Sequence, residues 1–595
     1  MIDTIRSCVD LLRVSWRTNP GKLALAFVLM VAQSAALPLA APALGALIDA
    51  ALARDIGRAT LAAGAVALAV MAALTAGHFA HVAYFELGEE NFLRYDRELI
   101  DLANGSAGLE HHERPEFADK LQVLRQETDR MSWVSMQALL GTISLGIGFA
   151  ITAVLLGLLN PWLLLLPLAA VPPMLCGRRA EILMGRVRES AAEPARIARH
   201  LFSLATDAGA AKELRVCRVQ ADLRGRHETL WLRSTGILWR GELRAAAWRI
   251  TGQLVFAVAY VGATLLVVYD AVSGQRTVGD VVLAITLAAQ VNHQVSAAVT
   301  LLQELQRLTE TLNNFRWIRE LTARQAPPVP DAELPERLVH GIRLRDVTFT
   351  YPDTDHPVLC GVDLLLPAGS TVAIVGENGA GKTTLVKLLC RFYEATSGVT
   401  EVDGVNIRRF PLDGWRERIA AGFQDFARFE FLARETVGVG DLGQIESTRA
   451  VTGALERAHA ADVIARLDDG LETQLGQSFA EGAELSGGQW QKLALGRAMM
   501  RQTPLLVVLD EPTSALDAQA EHELFERYAA NARQAGARTG AITLLVSHRF
   551  STVRMADVIL VVAGGRVAEA GSHEDLVAAD GLYAELYGLQ AAQYT

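Results

Sequence analysis

Cysteine is scarce in this chain of 595 residues, and the five that occur show neither a paired nor a metal-binding spacing. This pattern excludes a disulfide framework, and it favours reduced thiols facing a cytosol or ordinary core positions. Polar low-complexity tracts are also lacking, and 51% of the residues are hydrophobic, so the composition excludes intrinsic disorder. The cysteines are Cys8, Cys176, Cys217, Cys360 and Cys390.

Basic residues are fewer than acidic ones: the chain has 56 lysines and arginines and 66 aspartates and glutamates, for a net charge of −10. Through Arg324 the chain has 32 basic and 29 acidic residues, whereas the remainder has 24 basic and 37 acidic. Neither part has the positive excess that is typical of nucleic-acid-binding domains, so we expect no nucleic-acid partner. The difference in charge predicts two parts of different construction.

Charged residues are absent from five long stretches of the first part: 23–48, 59–85, 131–177, 250–269 and 281–303. A membrane-spanning helix needs about 20 such residues. The longest stretch contains Asn160-Pro161, so it predicts two helices joined by a tight turn. The pattern therefore predicts six transmembrane helices. Buried helices of a large soluble core are the less favoured alternative, because they seldom lack charge over such lengths.

The distribution of arginine and lysine predicts the orientation in the membrane. The short connections 51–58, 159–161 and 270–280 contain three basic residues, whereas the segment between Cys176 and Ile250 contains fifteen. The positive-inside rule then places both termini in the cytoplasm, in a multi-pass protein of the cytoplasmic (inner) membrane. Segments 86–130 and 178–249 are expected to continue the membrane helices into the cytoplasm, and residues 1–19 to form an amphipathic helix on the inner surface, in contact with membrane lipids.

Polar side chains cluster in the last predicted span, where they are costly. These residues either line a cavity for a transported molecule or make hydrogen bonds between helices, and the sequence does not distinguish the two. They are Gln290, Asn292, His293 and Gln294.

Prolines at positions 327, 328, 330 and 335 predict a stiff linker after the last membrane helix. Beyond it, strand-like and helix-like segments alternate as they do in α/β domains. We therefore expect an α-helical polytopic membrane domain over 1–325, a linker over 326–340, and an α/β P-loop nucleotide-binding domain over 341–595.

A phosphate-binding loop follows a short apolar strand at Thr371–Val375 and precedes a helix. Its sequence is Gly376-Glu377-Asn378-Gly379-Ala380-Gly381-Lys382-Thr383, which matches the full pattern in the required strand–loop–helix context. The glycines let backbone N–H groups surround phosphates at a helix N-terminus. Lys382 is expected to contact the β- and γ-phosphates, and Thr383 to hold Mg²⁺.

A second apolar strand, residues 505–509, ends in Asp510-Glu511. Asp510 is expected to be the second protein partner of Mg²⁺, and Glu511 to polarise the attacking water. Two acids at the end of a strand carry little weight alone, but together with the phosphate-binding loop they predict nucleotide hydrolysis.

The sequence Leu485-Ser486-Gly487-Gly488-Gln489 closely resembles the signature of ATP-binding cassette proteins. Further family landmarks follow in the expected order. Tyr351 resembles the aromatic residue that stacks on adenine, and Gln424 the glutamine that joins the nucleotide site to the membrane domain. Asp517 belongs to a segment resembling the loop that couples two nucleotide sites, and His548 resembles the histidine that contacts the γ-phosphate. Six membrane helices before one cassette resemble an exporter-type half-transporter.

This resemblance implies a dimer in which ATP lies between the phosphate-binding loop of one cassette and the signature of the other. The partner is expected to be a second copy of the chain or a related half-transporter, with ATP and Mg²⁺ as cofactors. The expected catalytic residues are Lys382, Gln424, Glu511 and His548, and the expected metal partners are Thr383, Gln424 and Asp510. The expected nucleotide-binding residues are Tyr351, Gly376, Glu377, Asn378, Gly379, Ala380, Gly381, Lys382, Thr383, Thr384, Ser486, Gly487, Gly488, Gln489 and Asp517.

Residues 111–117 and 211–215 resemble the coupling segments of peptide- and lantibiotic-exporting members of the family. Because only Met1–Gly21 and Lys22 precede the first apolar stretch, no peptidase module is expected there. The favoured function is ATP-driven export of a peptide or another amphipathic compound. The alternatives are a lipid or multidrug exporter, an importer of the same architecture, and an ATP-gated channel or sensor.

Overall fold

The computed structural model describes residues 2–131, 133–325, 327, 329–352, 354–511, 530, 532–547 and 553–591. The chain divides into two compact units. The membrane unit comprises 1–101 and 119–318, and the cassette unit comprises 319–595 together with residues 102–118. The sequence predicts domain boundaries at 325 and 341, which assign residues 102–118 to the membrane domain. In the structure these residues belong to the cassette unit. All five cysteines are free.

Helices account for nearly all of the chain before the linker. In the part of the chain that the structure describes, six of them, some with a break, are long and apolar enough to span a membrane, which confirms the predicted number. The helices are α1 (Ile2–Thr18), α2 (Pro20–Leu52), α3 (Ile56–Asn104), α4 (Glu110–Glu113), α5 (Pro115–Met131), α6 (Trp133–Leu159), α7 (Leu165–Ala169), α8 (Val171–Thr206), α9 (Ala211–Cys217), α10 (Gln220–Val272) and α11 (Val278–Arg324).

Local sequence determines where the spanning helices begin. The side chain of Asn19 caps α2 by accepting from the Lys22 N–H at 3.1 Å, and Pro20 occupies the first helical turn. Asn160 caps a short 3-10 turn in the same way, at the predicted break between α6 and the next span. The helix α10 has 53 residues. At 1.5 Å per residue it is about 80 Å long, far more than the roughly 30 Å of bilayer hydrocarbon, as the predicted extensions require.

Close backbone contact joins α2 to the start of α11. The carboxylate of Asp49 accepts a hydrogen bond from the Gly279 N–H at 2.8 Å, which satisfies a free donor in the first turn of α11. A Cβ atom at Gly279 would lie 2.3 Å from the carbonyl oxygen of Gly45, so both positions depend on the absence of a side chain. Small residues commonly allow membrane helices to approach in this way.

The cassette unit contains two sheets. One has the order β2-β1-β4-β5 and is antiparallel, and the other has the order β10-β9-β3-β8-β7-β6. In the second sheet every pairing is parallel except that of β10 with β9. The strands are β1 (Gly341–Phe349), β2 (Leu359–Pro367), β3 (Thr371–Val375), β4 (Ser397–Val402), β5 (Val405–Asn406), β6 (Ile419–Gly422), β7 (Leu506–Asp510), β8 (Ile542–Val546), β9 (Val558–Ala563) and β10 (Arg566–Gly571).

The helices of the cassette cover this second sheet and complete an α/β domain, as predicted. Strands β3, β7 and β8 are almost entirely buried, which explains their unbroken apolar sequences. The helices are α12 (Lys382–Leu389), α13 (Leu412–Glu417), α14 (Ala433–Gly438), α15 (Thr448–Arg457), α16 (Ala461–Ile464), α17 (Gly487–Ala498), α18 (His573–Ala578) and α19 (Leu582–Ala591).

Replacement of Gly279 by valine is expected to destabilise the membrane unit. The new side chain would meet Gly45 and Asp49 of α2, and such overpacking typically costs about 1–3 kcal/mol. The unfolding temperature of the purified protein in detergent measures the effect. Gly262→Val is the matched control, because no atom lies within 4 Å of a Cβ at that exposed helical position. Equal unfolding temperatures for the two variants would contradict the inferred contact.

Candidate nucleotide-binding site

The phosphate-binding loop connects β3 to α12 at the carboxyl edge of the parallel sheet. Gly376 has φ +151°, and a Cβ there would lie 2.1 Å from the carbonyl oxygen of Val562 on the neighbouring strand β9. Gly381, at φ +104°, is the N-cap residue of α12. The Lys382 ammonium donates to the carbonyl oxygens of Gly376 and Glu377 at 2.8 and 2.9 Å, so it lies across the concave side of the loop.

Two acids stand at the end of β7: Asp510 is its last residue and Glu511 follows it. Only β8 separates β7 from β3 in the sheet. Because the carboxyl ends of parallel strands meet at one edge, Asp510 and Glu511 lie beside the phosphate-binding loop. The Gln424 side chain, which follows β6, donates to the Glu511 carboxylate at 2.8 Å. Gln491 donates to the Glu511 carbonyl oxygen at 3.3 Å. Glu511 has a φ of +45°, an unusual backbone conformation for a residue other than glycine.

Burial is the main cause of the pKa shifts of Asp510 and Lys382. Burial raises the pKa of Asp510 to about 6, with further contributions from the negative charges of Glu511 and Asp425, and the Lys382 charge opposes the rise. Burial also lowers the pKa of Lys382, which the two acids partly offset. The positive charge of Lys382 and the negative charges of Asp510 and Glu511 therefore each favour the charged form of the other, against the effect of burial.

A cavity of about 680 Å³ lies between these elements. It brings together most of the predicted site residues, and it adds Val358 and Val546, which carry no recognisable sequence pattern. Gly376, Glu377 and Ala380 belong to the loop but do not line the cavity. His548 and Asp517 lie outside the described residues. The lining residues are Tyr351, Val358, Asn378, Gly379, Gly381, Lys382, Thr383, Thr384, Gln424, Asp510, Glu511 and Val546.

The donor set of this cavity suits Mg²⁺ held partly by a nucleotide. In the described part of the chain no cluster of three histidine, cysteine or acidic residues could hold a metal by itself. The cavity instead offers the Thr383 hydroxyl, the Asp510 carboxylate and the Gln424 amide oxygen. These are hard oxygen ligands, and Mg²⁺ commonly binds one or two protein ligands while phosphates and water complete its octahedral shell.

The signature residues lie apart from this cavity. Ser486 caps α17: its hydroxyl accepts from the Gln489 N–H at 3.3 Å, and the Gln489 side chain accepts from the Ser486 N–H at 2.8 Å. This reciprocal capping fixes the orientation of the Ser486–Gly488 backbone. None of Ser486, Gly487, Gly488 or Gln489 lines the cavity of the same chain.

The predicted first coupling segment belongs to the cassette unit and contacts the nucleotide side of it. Glu113 forms an ion pair with Lys387 of α12 at 3.2 Å. Just before the segment, the Leu109 N–H donates to the Phe392 carbonyl oxygen at 3.0 Å. The Lys387 ammonium lies 5.3 Å from the centre of the Tyr351 ring, at the predicted adenine position. Sequence alone did not indicate Lys387, because a lysine on a helix surface is common.

Comparison of the sequence with known proteins agrees with these features of the site. The family model described as ABC transporter matches residues 359–514. An ATP-dependent lipid A-core flippase of Xanthomonas campestris pv. campestris is 31% identical over 74% of this chain and 72% of the flippase. The chain belongs to the ATP-binding cassette transporters. A second flippase of that name, from Aromatoleum aromaticum, is 36% identical over 53% of the chain and 50% of its own length.

Two further matches agree with this family and with the fold. The subtilin transport ATP-binding protein SpaT of Bacillus subtilis is 32% identical over 59% of the chain and 55% of its own length. The chain thus matches only about half of the length of some relatives. A solved structure of a bacterial Atm1-family ABC exporter with ATP bound superimposes with a TM-score of 0.79 at 24% identity, covering 96% of this chain and 99% of that one.

The predicted family, fold class and ATPase activity are therefore confirmed. The transporter is a multi-pass membrane protein that binds ATP and couples its hydrolysis to transport. The roles of individual site residues remain predictions, which the following experiments address.

Gly376→Ala is expected to destabilise the cassette and to abolish ATP binding, because the Cβ would overlap the Val562 carbonyl oxygen. Gly379→Ala is the matched control in the same loop: its φ is +79°, but nothing lies within 4 Å of a Cβ there. Its cost should be limited to about 1–2 kcal/mol of backbone strain. The two variants are compared by their affinity for a fluorescent ATP analogue and by their unfolding temperature. Equal losses of affinity and stability would contradict the close contact at Gly376.

Glu511→Gln is expected to retain ATP binding while turnover falls by about 10²–10⁴-fold, since the amide keeps the side-chain shape but accepts no proton from water. Phosphate release and nucleotide binding are measured in parallel. Glu472→Gln, on the surface of the same unit, is the control. Near-normal turnover of Glu511→Gln would show that another group activates the water.

The coupling segment is expected to lose stability at low pH through His111. This side chain is buried and bonded to Ser106 and the Ala103 carbonyl oxygen, and burial lowers its pKa below 6.5. The unfolded chain then binds the proton more readily, so stabilisation present above about pH 6.5 is lost as the pH falls. His111→Gln should show a smaller drop in unfolding temperature between about pH 7.5 and 5.5. An unchanged drop would contradict this role.

Proposed function

We propose that two copies of this chain form an exporter in the cytoplasmic membrane, with both termini and both cassettes in the cytoplasm. Each of the two ATP sites would use the phosphate-binding cavity of one copy and the signature of the other. The observation that carries this proposal is the separation of Ser486–Gly488 from the cavity of their own chain, although they are oriented by the capping of α17. A second chain can supply the signature residues that do not line the cavity of their own chain.

Within each site, the side chains of the chain have distinct tasks. Lys382 and the backbone N–H groups of the loop bind phosphate oxygens, and Tyr351 stacks on the adenine. Glu511, oriented by Gln424, accepts a proton from the attacking water, and His548 contacts the γ-phosphate. Thr383, Asp510 and Gln424 would hold Mg²⁺, which supplies charge neutralisation to the phosphates.

The cargo is proposed to be a peptide or another amphipathic compound. A mostly apolar cavity of about 390 Å³ lies between α6, α8 and α11 of the membrane unit. Gln294, one of the polar residues noted in the last span, lines it. Its amide donates to Thr152 at 3.1 Å, and its Oε1 atom has no partner among the described residues. Such a wall suits a largely apolar molecule with one hydrogen-bond donor.

Relatives leave two classes of cargo open. Some are named for the lipid A-core and one for subtilin. The membrane cavity favours an amphipathic molecule in both cases, so a lipid exporter is the second candidate.

A complementation experiment tests the composite site. Chains carrying Lys382→Ala and chains carrying Ser486→Glu are coexpressed with different tags, and doubly tagged dimers are purified. Such dimers have one site with both defects and one intact site, so they should hydrolyse ATP in a single turnover, whereas both homodimers should not. Failure of the mixed dimer, with ATP binding retained by the Ser486→Glu chain, would contradict the arrangement.

Reconstitution in proteoliposomes tests the cargo. Candidate peptides, lipids and drugs are compared for stimulation of ATP turnover and for flux towards the side opposite the cassettes. Peptide-stimulated flux is the expected result. Stimulation of both measurements by lipids or drugs, with none by any peptide, would overturn the peptide proposal, and flux towards the cassettes would show an importer.

A further inference from the structure

A groove in the membrane unit lies between α1, α2 and α6, away from the cargo cavity described above. Its volume is about 540 Å³, and its lining is almost wholly apolar. Leu12 of α1, Phe27 of α2, and Leu140 and Ile143 of α6 form much of the wall. Three residues with polar or charged ends, Arg13, Trp16 and Arg17, also line it, and all three belong to α1. The groove therefore combines an apolar body with positive charge.

The helix α1 has two unlike faces. Ser7, Leu11 and Ser15 follow one another at helical spacing and are completely buried. The opposite face is exposed but not polar throughout, since Ile5 and Trp16 are 59% and 61% exposed. A helix that presents apolar and basic side chains together is typical of the headgroup–hydrocarbon boundary of a membrane.

The acids near α1 are already engaged. Asp10 accepts from Arg316 of α11 at 3.0 Å, which also fixes α1 beside the end of α11 that leads into the linker. Lys22, the next cation along the chain, is neutralised by Glu86 and Glu90 at 3.0 and 2.8 Å.

The positive charges of Arg13 and Arg17 therefore remain largely uncompensated. The closest carboxylate oxygen to Arg13 is that of Asp10, at 4.0 Å, and the Arg13 side chain is 72% exposed. Among the described residues no ion pair involves Arg17. The two guanidinium groups are four residues apart, so they lie on one face of α1 at the same groove.

We propose that this groove binds an anionic diacyl phospholipid, with acyl chains against α2 and α6 and the headgroup phosphate between Arg13 and Arg17. Guanidinium groups bind phosphate through two parallel hydrogen bonds. A zwitterionic lipid carries the same phosphate, but its headgroup cation cancels the negative charge, so two basic side chains favour a lipid with a net negative charge. Trp16 occupies the position where indole side chains favour the interface. This site is distinct from the ATP sites and from the proposed cargo cavity, and it assigns a resident lipid to the transporter.

Native mass spectrometry of the full-length protein tests the proposal. The protein is equilibrated with equal amounts of dioleoyl phosphatidylglycerol and dioleoyl phosphatidylcholine, and the retained lipids are counted. The wild type should retain one phosphatidylglycerol per chain in preference to phosphatidylcholine. In Arg13→Gln/Arg17→Gln this preference should fall by roughly 25-fold, since each arginine near an anionic lipid contributes a factor of roughly five.

Two further variants separate a specific site from general attraction. Arg6→Gln removes a charge from the same helix but not from the groove lining, so it should keep the preference. Ala24→Trp leaves the charge unchanged and fills the groove, so it should release the lipid. An equal effect of Arg6→Gln and of the groove variants would overturn the proposal in favour of surface electrostatics. Retention of phosphatidylglycerol by Ala24→Trp, or of both lipids alike by the wild type, would overturn it as well.

Discussion

The cost of leaving a charge unpaired away from water governs both parts of this transporter. In the membrane unit the constraint acts by exclusion, because the apolar windows of the spanning helices contain almost no charged residues. Where a carboxylate does lie at a helix contact, as Asp49 does, it accepts a backbone hydrogen bond from Gly279. In the cassette burial raises the pKa of Asp510 to about 6, and the positive charge of Lys382 opposes this rise.

The charged side chains that line the cavity explain why the cassette is suited to a charged ligand. The cavity holds one cation in the loop and two acids at the end of β7, so it can accept phosphates on one side and a divalent cation on the other. The glycines of the loop make the approach possible, because a side chain at Gly376 would overlap β9. In the proposed dimer this cavity is half of a functional site, since the capped signature does not line the cavity of its own chain.

Contacts within the cassette unit connect the nucleotide side with the coupling segment. Glu113 pairs with Lys387, whose ammonium lies against the ring of Tyr351, and the Tyr351 hydroxyl is 3.1 Å from that of Thr384. A change at Tyr351, the predicted adenine position, can therefore be transmitted to the predicted coupling segment through side chains in direct contact.

Much of the architecture was determined by the sequence itself, because it follows from local rules. Charge-free length predicts six spans, Asn160-Pro161 predicts the break between two of them, and the glycine pattern after β3 predicts a phosphate-binding loop. The glycines of the loop follow from the same kind of rule, since their backbone conformation and close contacts restrict the residue type there, whereas the roles of the other site residues remain predictions.

Only the tertiary structure decided which distant residues meet. It brought Gln424 to Glu511, Val546 to the phosphate-binding cavity and Lys387 to Glu113, and it gave residues 102–118 to the cassette unit. It also left Ser486 outside the cavity and opened a groove beside Arg13 and Arg17. Such contacts depend on strand order and helix packing, which arise from many weak interactions between segments far apart in the chain, so no local pattern contains them.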